Sequence, residues 1–123
     1  MRATREGNRS HNPDKYKRDI EVLEKAIVDE PNNTRYRFYL AQSYRDDGNN
    51  EKALEHYQKR VDMGGWAEEV YYSLLQIGHC KERLKQPLFD VIDAYLKAHH
   101  YRPSRLEALC SAIRLCRIEG KHY

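Results

Sequence analysis

One stretch decides the fold: residues 34–67 read TRYRFYLAQSYRDDGNNEKALEHYQKRVDMGGWA. Apolar residues recur there at the spacing of one helical face, once before Gly48 and once after it. They are Leu40, Ala41 and Tyr44 in the first half and Ala53, Leu54, Tyr57 and Val61 in the second. Gly48 and the pair Gly64-Gly65 are typical helix ends, because glycine adopts a left-handed conformation without a steric penalty. The stretch therefore predicts two helices joined by a tight turn.

The same pattern continues on both sides and predicts six helices and no strand. The predicted helix starts are Asn12-Pro13, Thr34, Asn50, Ala67, Gln86-Pro87 and Ser104. A proline suits the first turn of a helix because its missing N–H would be unpaired there. Ser104 and Glu107 have the spacing of a capping box, in which each side chain bonds a backbone N–H of the other. Residues 1–11 have no apolar period and are predicted to be a disordered tail or linker.

The helical pattern repeats along the chain with spacings of 34 and then 38 residues. Aligned sets are Tyr16, Asn50 and Leu88; Leu23, Tyr57 and Tyr95; and Leu40, Leu74 and Ala112. The four additional residues fall between Gly78 and Pro87. Four residues are close to one helical turn of about 3.6 residues. We therefore expect the fourth helix to be one turn longer than its counterparts.

A unit of 34 residues with two helices resembles the tetratricopeptide repeat. The residues that carry the resemblance are Leu40, Ala41, Tyr44, Gly48, Ala53, Tyr57 and a closing proline or glycine. It implies an all-α, TPR-like superhelix, or solenoid, of about six antiparallel helices. The implied division is a half repeat at 12–33, repeats at 34–67 and 68–105, and a half repeat at 106–123. The sequence departs from the family pattern at Arg60, where a small residue is usual, and at Gly78, where an aromatic residue is usual.

The resemblance also implies a function, because tetratricopeptide repeats bind peptides in a concave groove lined by the first helix of each pair. Carried over by position, the groove residues would be Arg35, Phe38, Tyr39, Gln42, Arg45, Tyr72, Gln76, His79, Arg114 and Arg117. Aromatic, amide and guanidinium groups can anchor apolar side chains and bond peptide carbonyls or carboxylates. Phe38 and Gln42 stand where some members hold a C-terminal carboxylate with lysine and asparagine, so such a carboxylate clamp is not expected.

A narrower resemblance concerns three strings of sequence. They are Asn12-Pro13-Asp14-Lys15-Tyr16, then residues 38–46, then Met63-Gly64-Gly65-Trp66 with the following Glu68-Glu69 and Tyr71-Tyr72. Together they look like the helical region that follows the catalytic domain in some bacterial family 2 glycosyltransferases. This resemblance implies an alternative function as an accessory or C-terminal fragment of such an enzyme, positioning enzyme or acceptor. A glycosyltransferase catalytic domain would then be a partner in cis.

Composition and charge exclude several classes of protein. The chain has 22 basic and 19 acidic residues, interleaved along its length, for a net charge of +3. This pattern argues against a nucleic-acid partner, which usually requires a clustered basic face. No apolar run approaches the roughly 20 residues of a membrane span, and no signal peptide is evident. We therefore expect a cytoplasmic protein that binds another protein or peptide and has no membrane association.

Catalytic and metal-binding patterns are also missing from the sequence. Cys80, Cys110 and Cys116 lack the spacing of a disulfide framework or a zinc site. His99-His100 could approach His79 or Cys80, but neighbouring residues on a helix point about 100° apart. The pair Asp46-Asp47 precedes a predicted helix end rather than following a strand. The sequence thus predicts no enzyme, no cofactor and no metal site.

The predicted sixth helix has an apolar face that no later helix would cover. This face comprises Leu109, Ala112, Ile113 and Cys116. Each unit of a repeat array buries its apolar face only against a neighbour. The sequence therefore predicts either that the natural protein continues or that something docks there, including a second copy in a homo-oligomer.

Overall fold

The computed structural model describes residues 13–120, with side chains from Lys15 to Ile118. Within this part of the chain the secondary structure consists of six α-helices and no strand. They are α1 (Pro13–Asp29), α2 (Thr34–Asp46), α3 (Asn50–Met63), α4 (Ala67–Arg83), α5 (Leu88–Tyr101) and α6 (Glu107–Gly120). The predicted all-α class is confirmed. The predicted tail at residues 1–11 and the cap at Asn12 lie outside the described residues.

Each helix packs against the next one along the chain, and α2 also contacts α4. The interior has two groups of buried side chains. The first is Ile20, Leu40, Ala41, Tyr44, Ala53, Tyr57, Ile77, Cys80 and Ala94. The second is Tyr71, Leu75, Val91, Tyr95, Ala98, Ala108, Ala112 and Leu115. Leu74 packs against both groups, so a single core runs from α1 to α6.

Local chemistry explains where α2 and α3 begin and end. The side chains of Asn33 and Asn49 each accept a backbone N–H from three residues ahead, at 3.1 Å in both cases. These bonds satisfy N–H groups that have no partner inside the helix. Gly48 has φ 87° and Gly64 has φ 71°, in the left-handed region that glycine tolerates. The glycine stops predicted from the sequence are confirmed.

The additional helical turn predicted between Gly78 and Pro87 belongs to α4. This helix has 17 residues, whereas α2 has 13. Lys85, with φ 58°, then turns the chain towards α5. The insertion therefore lengthens one helix and leaves the order of packed helices unchanged.

Two predicted helix starts are wrong. Helix α6 begins at Glu107, and Ser104 lies in a turn in which the N–H of Arg105 donates to the carbonyl of Arg102 at 2.9 Å. Glu107 makes no capping box because its carboxylate binds Arg105 at 3.0 Å instead. Pro87 occupies the N-cap position before α5 rather than its first turn.

The orientation of α6 also differs from the prediction. Ala112 is buried as expected, but its companions in the core are Ala108 and Leu115. These three residues lie four and three positions apart, on one helical face. Ile113 is 44% exposed, and Cys116 is exposed as well. Of the predicted apolar face, Ala112 therefore packs inside, Leu109 is half-buried, and the other two side chains face solvent.

The two departures from the repeat pattern each have a packing partner. Arg60 is fully buried, and its Nε atom donates to Oε1 of Glu69 at 2.8 Å, while its Nη1 atom donates to the carbonyl of Gly64. At Gly78, a Cβ atom would overlap the ring of Tyr95, which lies directly over the glycine. A large residue at position 60 is thus paired by a carboxylate from α4. The aromatic ring near position 78 comes from α5.

None of the helices in the described part of the chain has the length and apolar character needed to cross a lipid bilayer.

Candidate functional site: two clefts along α4

An open cleft lies between α2 and the start of α4. We call it the aromatic cleft. Its lining residues are Phe38, Gln42, Trp66, Glu68, Glu69, Tyr71, Tyr72 and Arg105. The cavity volume is about 320 Å³. This is the lower end of the size range of ligand pockets, about 300 to 1,000 Å³. The cleft can therefore hold one or two large side chains of a partner.

Aromatic rings form the floor and one rim of the aromatic cleft. The rings of Phe38 and Tyr72 meet edge to face, with centroids 5.6 Å apart. The hydroxyl of Tyr72 accepts a bond from Nη1 of Arg45 at 3.1 Å, which fixes the ring. Trp66 is 58% exposed, and the guanidinium of Arg35 lies 5.4 Å from its ring centroid. A rigid apolar floor and an exposed indole are thus available for contact.

The two carboxylates in the aromatic cleft are already paired. Glu69 lies 2.8 Å from Nε of Arg60 and 3.2 Å from Nε of Arg35. Glu68 bonds Arg105, and its Oε2 atom lies 2.9 Å from Nη2 of Arg102. Each carboxylate therefore faces two guanidinium groups. The aromatic cleft offers apolar surface without an excess of negative charge.

A second cleft lies near the other end of α4, where α6 approaches. This polar cleft has a volume of about 400 Å³ and is lined by His79, Glu82, Arg83 and Arg114. Glu82 accepts two bonds from Nη2 of Arg114, at 3.1 and 3.2 Å. The same carboxylate accepts the hydroxyl of buried Tyr95 at 2.8 Å. The side walls of the polar cleft are therefore held in place by bonds to the core.

The protonation of His79 follows from its neighbours. The hydroxyl of Tyr95 has one proton, which it donates to Glu82, so at 2.8 Å the Nδ1 atom of His79 must donate to the hydroxyl. Burial lowers the pKa of His79, and Arg83 and Arg114 lower it further, while Glu82 opposes them. Burial raises the pKa of Glu82, but its bonds from Arg114 and Tyr95 outweigh burial and hold that pKa below its usual value.

A third cleft lies between α1 and α2 and shares one wall with the aromatic cleft. Its lining residues are Asp19, Val22, Leu23, Tyr39, Gln42, Ser43 and Asp46, around about 400 Å³. Gln42 lines both cavities. Clefts therefore follow one another across α1, α2, α4 and α6.

The ten residues expected in a groove separate into four groups. Phe38, Gln42 and Tyr72 line the aromatic cleft, and Arg35 and Arg45 contact its rings. His79 and Arg114 line the polar cleft. Tyr39 lines the third cleft. Gln76 is instead buried, with no hydrogen bond to its Oε1 atom within the described residues, and Arg117 is exposed outside these clefts.

Several lining residues were missed by reasoning from the sequence. They are Trp66, Glu68, Tyr71 and Arg105 in the aromatic cleft and Glu82 and Arg83 in the polar cleft. Trp66 had a usable signal, since the only tryptophan of the chain follows two glycines at a helix start. Arg105 had none, because it approaches Glu68 across 37 positions of sequence.

Several of the residues weighed as metal ligands have other partners. Asp46 pairs with Arg45 at 3.2 Å, and Asp47 lies 3.8 Å from Nζ of Lys17. Nδ1 of His99 lies 3.3 Å from the carbonyl of Arg105. Among the side chains that the structure describes, from Lys15 to Ile118, no three histidine, cysteine or carboxylate groups lie closely enough together to hold a metal ion.

Comparison with known proteins does not identify a family. No protein-family model matches the chain, and no curated protein is significantly similar to it. The arrangement of clefts, charges and exposed rings is therefore the basis for inferring function.

Proposed function

We propose that this chain is a non-catalytic scaffold of tetratricopeptide-like repeats that binds an extended peptide segment of a partner protein. Residues 34–67 and 68–105 form the two whole repeats, each consisting of a pair of helices. The first helix of each, α2 or α4, lines the binding groove together with α6. The period of the sequence and the packing of each helix on the next support this proposal.

One observation carries the proposal: the aromatic cleft is open, rigid and apolar, and the chain's only tryptophan lines it. Trp66 is 58% exposed although a large aromatic ring gains most free energy when it is buried. Tryptophan, tyrosine and arginine are the residues that most often dominate binding energy at protein interfaces. Trp66, Tyr72 and Arg105 bring all three types to one cleft.

The position of Trp66 supplies a direct assay of occupancy. We expect short random peptides without tryptophan, displayed on phage and selected on the immobilised protein, to include sequences that bind. Titration with these peptides should shift the emission of Trp66 to shorter wavelength, because a bound side chain removes water from the indole. The change Tyr72→Ala should weaken binding about tenfold by removing a rigid wall of the cleft.

Tyr36→Ala is the matched control, because Tyr36 on α2 is half-buried like Tyr72 and lines none of the three clefts. Thermal unfolding of each variant separates loss of binding from loss of fold. If Tyr72→Ala does not fold, Gln42→Arg places a charge and bulk in the same cleft at a half-buried position. Selection of no peptide, or binding that leaves the Trp66 emission and the cleft variants unaffected, would refute the proposal.

A further inference from the structure

The aromatic cleft and the polar cleft lie on one side of the same helix, and their spacing restricts what can occupy both. Tyr72 lines the first cleft, and His79 and Arg83 line the second. His79 follows Tyr72 by seven residues along the helix, and Arg83 follows it by eleven. At about 1.5 Å of rise per helical residue, these separations are roughly 10 and 16 Å. An extended peptide covers such distances with roughly three to five residues, at about 3.3 Å each.

Arginines outnumber carboxylates at both ends of this side of α4, but the two ends differ in how the arginines are paired. Near the aromatic cleft, Glu68 and Glu69 are each neutralised by two arginines, as described above. Around His79, three arginines lie close enough to lower its pKa, namely Arg83, Arg114 and Arg45, and one carboxylate, Glu82, opposes them.

The three arginines differ in what they already bind. Arg114 is paired with Glu82, and Arg45 is paired with Asp46 and bonded to Tyr72. Arg83 is exposed and forms no ion pair with any residue that the structure describes. A ligand carboxylate at the polar cleft would therefore meet an unused guanidinium, whereas a ligand ammonium group would be repelled.

We infer that the bound segment is extended, places a large apolar side chain in the aromatic cleft, and presents acidic side chains three to five residues away to the polar cleft, where Arg83 binds them. The inference rests on the proposed function and specifies its ligand. The carboxylates come from aspartate or glutamate side chains within the segment, so a free C-terminus is not required. Arg83 acts as the selecting residue, and Arg114, held by Glu82, shapes the cleft beside it.

The peptide selection described above tests this ligand chemistry. Peptides enriched on the wild-type protein should share an apolar residue with aspartate or glutamate three to five positions away. The same selection on Arg83→Glu should lose this acidic preference, because the reversed charge repels a carboxylate. Arg18→Glu is the matched control: it makes the same charge change at an exposed position on α1, away from the aromatic and polar clefts.

A double-mutant cycle between protein and peptide then isolates the contact. Changing the acidic residue of the best peptide to its amide should weaken binding to the wild-type protein about fivefold, the upper range for an exposed ion pair. On Arg83→Gln the same peptide change should have almost no effect. The fivefold difference should decrease as sodium chloride is added, because salt screens exposed charges.

The outcomes distinguish this inference from the proposed function. Enriched peptides that shift the Trp66 emission but lack acidic residues at this spacing, or that show no coupling to Arg83, would overturn the inference alone. Enrichment of basic peptides would overturn it as well. A single-stranded oligonucleotide could also bind the polar cleft. If it binds more strongly than any selected peptide, and if Arg83→Glu abolishes this binding, the ligand of the polar cleft is a nucleic acid instead. Failure to enrich any peptide would count against the proposed function itself.

Discussion

At the scale of single residues, Gly78 and Tyr95 show how a glycine inside one helix is covered by an aromatic ring from the next helix. The tetratricopeptide pattern favours an aromatic residue where Gly78 stands. The ring of Tyr95 covers the glycine, and the hydroxyl of Tyr95 is bonded to His79 and Glu82 at 2.8 Å each. Burial and the bond to Glu82 raise the pKa of Tyr95. The ring therefore packs over the glycine while its hydroxyl holds one wall of the polar cleft.

The contact predicts the effect of Gly78→Ala. Alanine favours a helix over glycine by about 1 kcal/mol, but its methyl group would overlap the buried ring of Tyr95. Overpacking of a core typically costs about 1 to 3 kcal/mol. Because the gain offsets part of the cost, we expect Gly78→Ala to lower the free energy of unfolding by up to about 2 kcal/mol, measured by urea denaturation.

The control removes the ring instead of the glycine. In a Tyr95→Leu background, Gly78→Ala should be neutral or stabilising, because the smaller side chain leaves space for a methyl group. An equal loss of stability in both backgrounds would show that the ring of Tyr95 is not what excludes alanine.

At the scale of helices, the pair of Arg60 and Glu69 couples α3 to α4 across the glycine turn. Both side chains are buried, and Nε of Arg60 lies 2.8 Å from Oε1 of Glu69. The guanidinium also bonds the carbonyl of Gly64, within the turn itself. The pair thus fixes the start of α4, where Trp66 and Tyr72 line the aromatic cleft.

Breaking this pair should destabilise the fold more than replacing it. Removing one partner of a buried ion pair costs about 3 to 5 kcal/mol, whereas apolar replacement of both is often neutral. We expect Arg60→Met to lower the free energy of unfolding by about 3 kcal/mol, and the double change with Glu69→Leu to recover much of that loss. Urea denaturation of the two single variants and the double variant measures the coupling.

Lys97→Met is the comparison variant, since Lys97 pairs with Asp93 at 3.3 Å on the exposed surface of α5. Lys97→Met should lower the free energy of unfolding by less than about 1 kcal/mol. Equal effects of Arg60→Met and Lys97→Met would mean that the buried pair does not couple the two helices.

At the scale of the whole molecule, two neutral histidines make stability depend on pH. His56 stacks on Tyr44 with ring centroids 5.3 Å apart, and its Nδ1 atom accepts from Nη1 of Arg37 at 3.2 Å. Burial and the charge of Arg37 lower the pKa of His56 to about 4. Burial likewise lowers the pKa of His79.

The sign of the effect follows from proton binding. Unfolded histidines, with a pKa of about 6.5, take up protons before the folded ones do. Stability is therefore greatest above about pH 6.5 and falls as the pH decreases towards 4. We expect urea denaturation midpoints to decrease across this interval.

His56→Gln tests which group causes the loss. The variant should be less stable than wild type at pH 7, because it loses the stacked ring, but its midpoint should change less between pH 7 and pH 5. An identical pH dependence in wild type and variant would exclude His56 as the cause.

The sequence by itself determined the helices of α1 to α5 and most of their buried faces. Apolar spacing and the glycines at positions 48 and 64 act within one or two turns, so they can be read from neighbouring residues. The four additional residues of α4 were predictable for a different reason, because the spacing of the aligned residues increases from 34 to 38. The resemblance to tetratricopeptide repeats predicted that Phe38, Gln42 and Tyr72 lie on one surface, and the structure brings all three side chains to the same cleft.

Only the tertiary structure decided the start and orientation of α6 and the composition of the clefts. Glu107 binds Arg105 and Tyr71 rather than capping its helix, and this choice depends on a residue 36 positions away. Trp66 and Arg105 meet at one cleft for equally non-local reasons. The same holds for the difference in pairing between Arg114, which binds Glu82, and Arg83, which forms no ion pair among the residues that the structure describes. Contacts between distant segments follow from packing and charge pairing in three dimensions, which no local spacing in the sequence records.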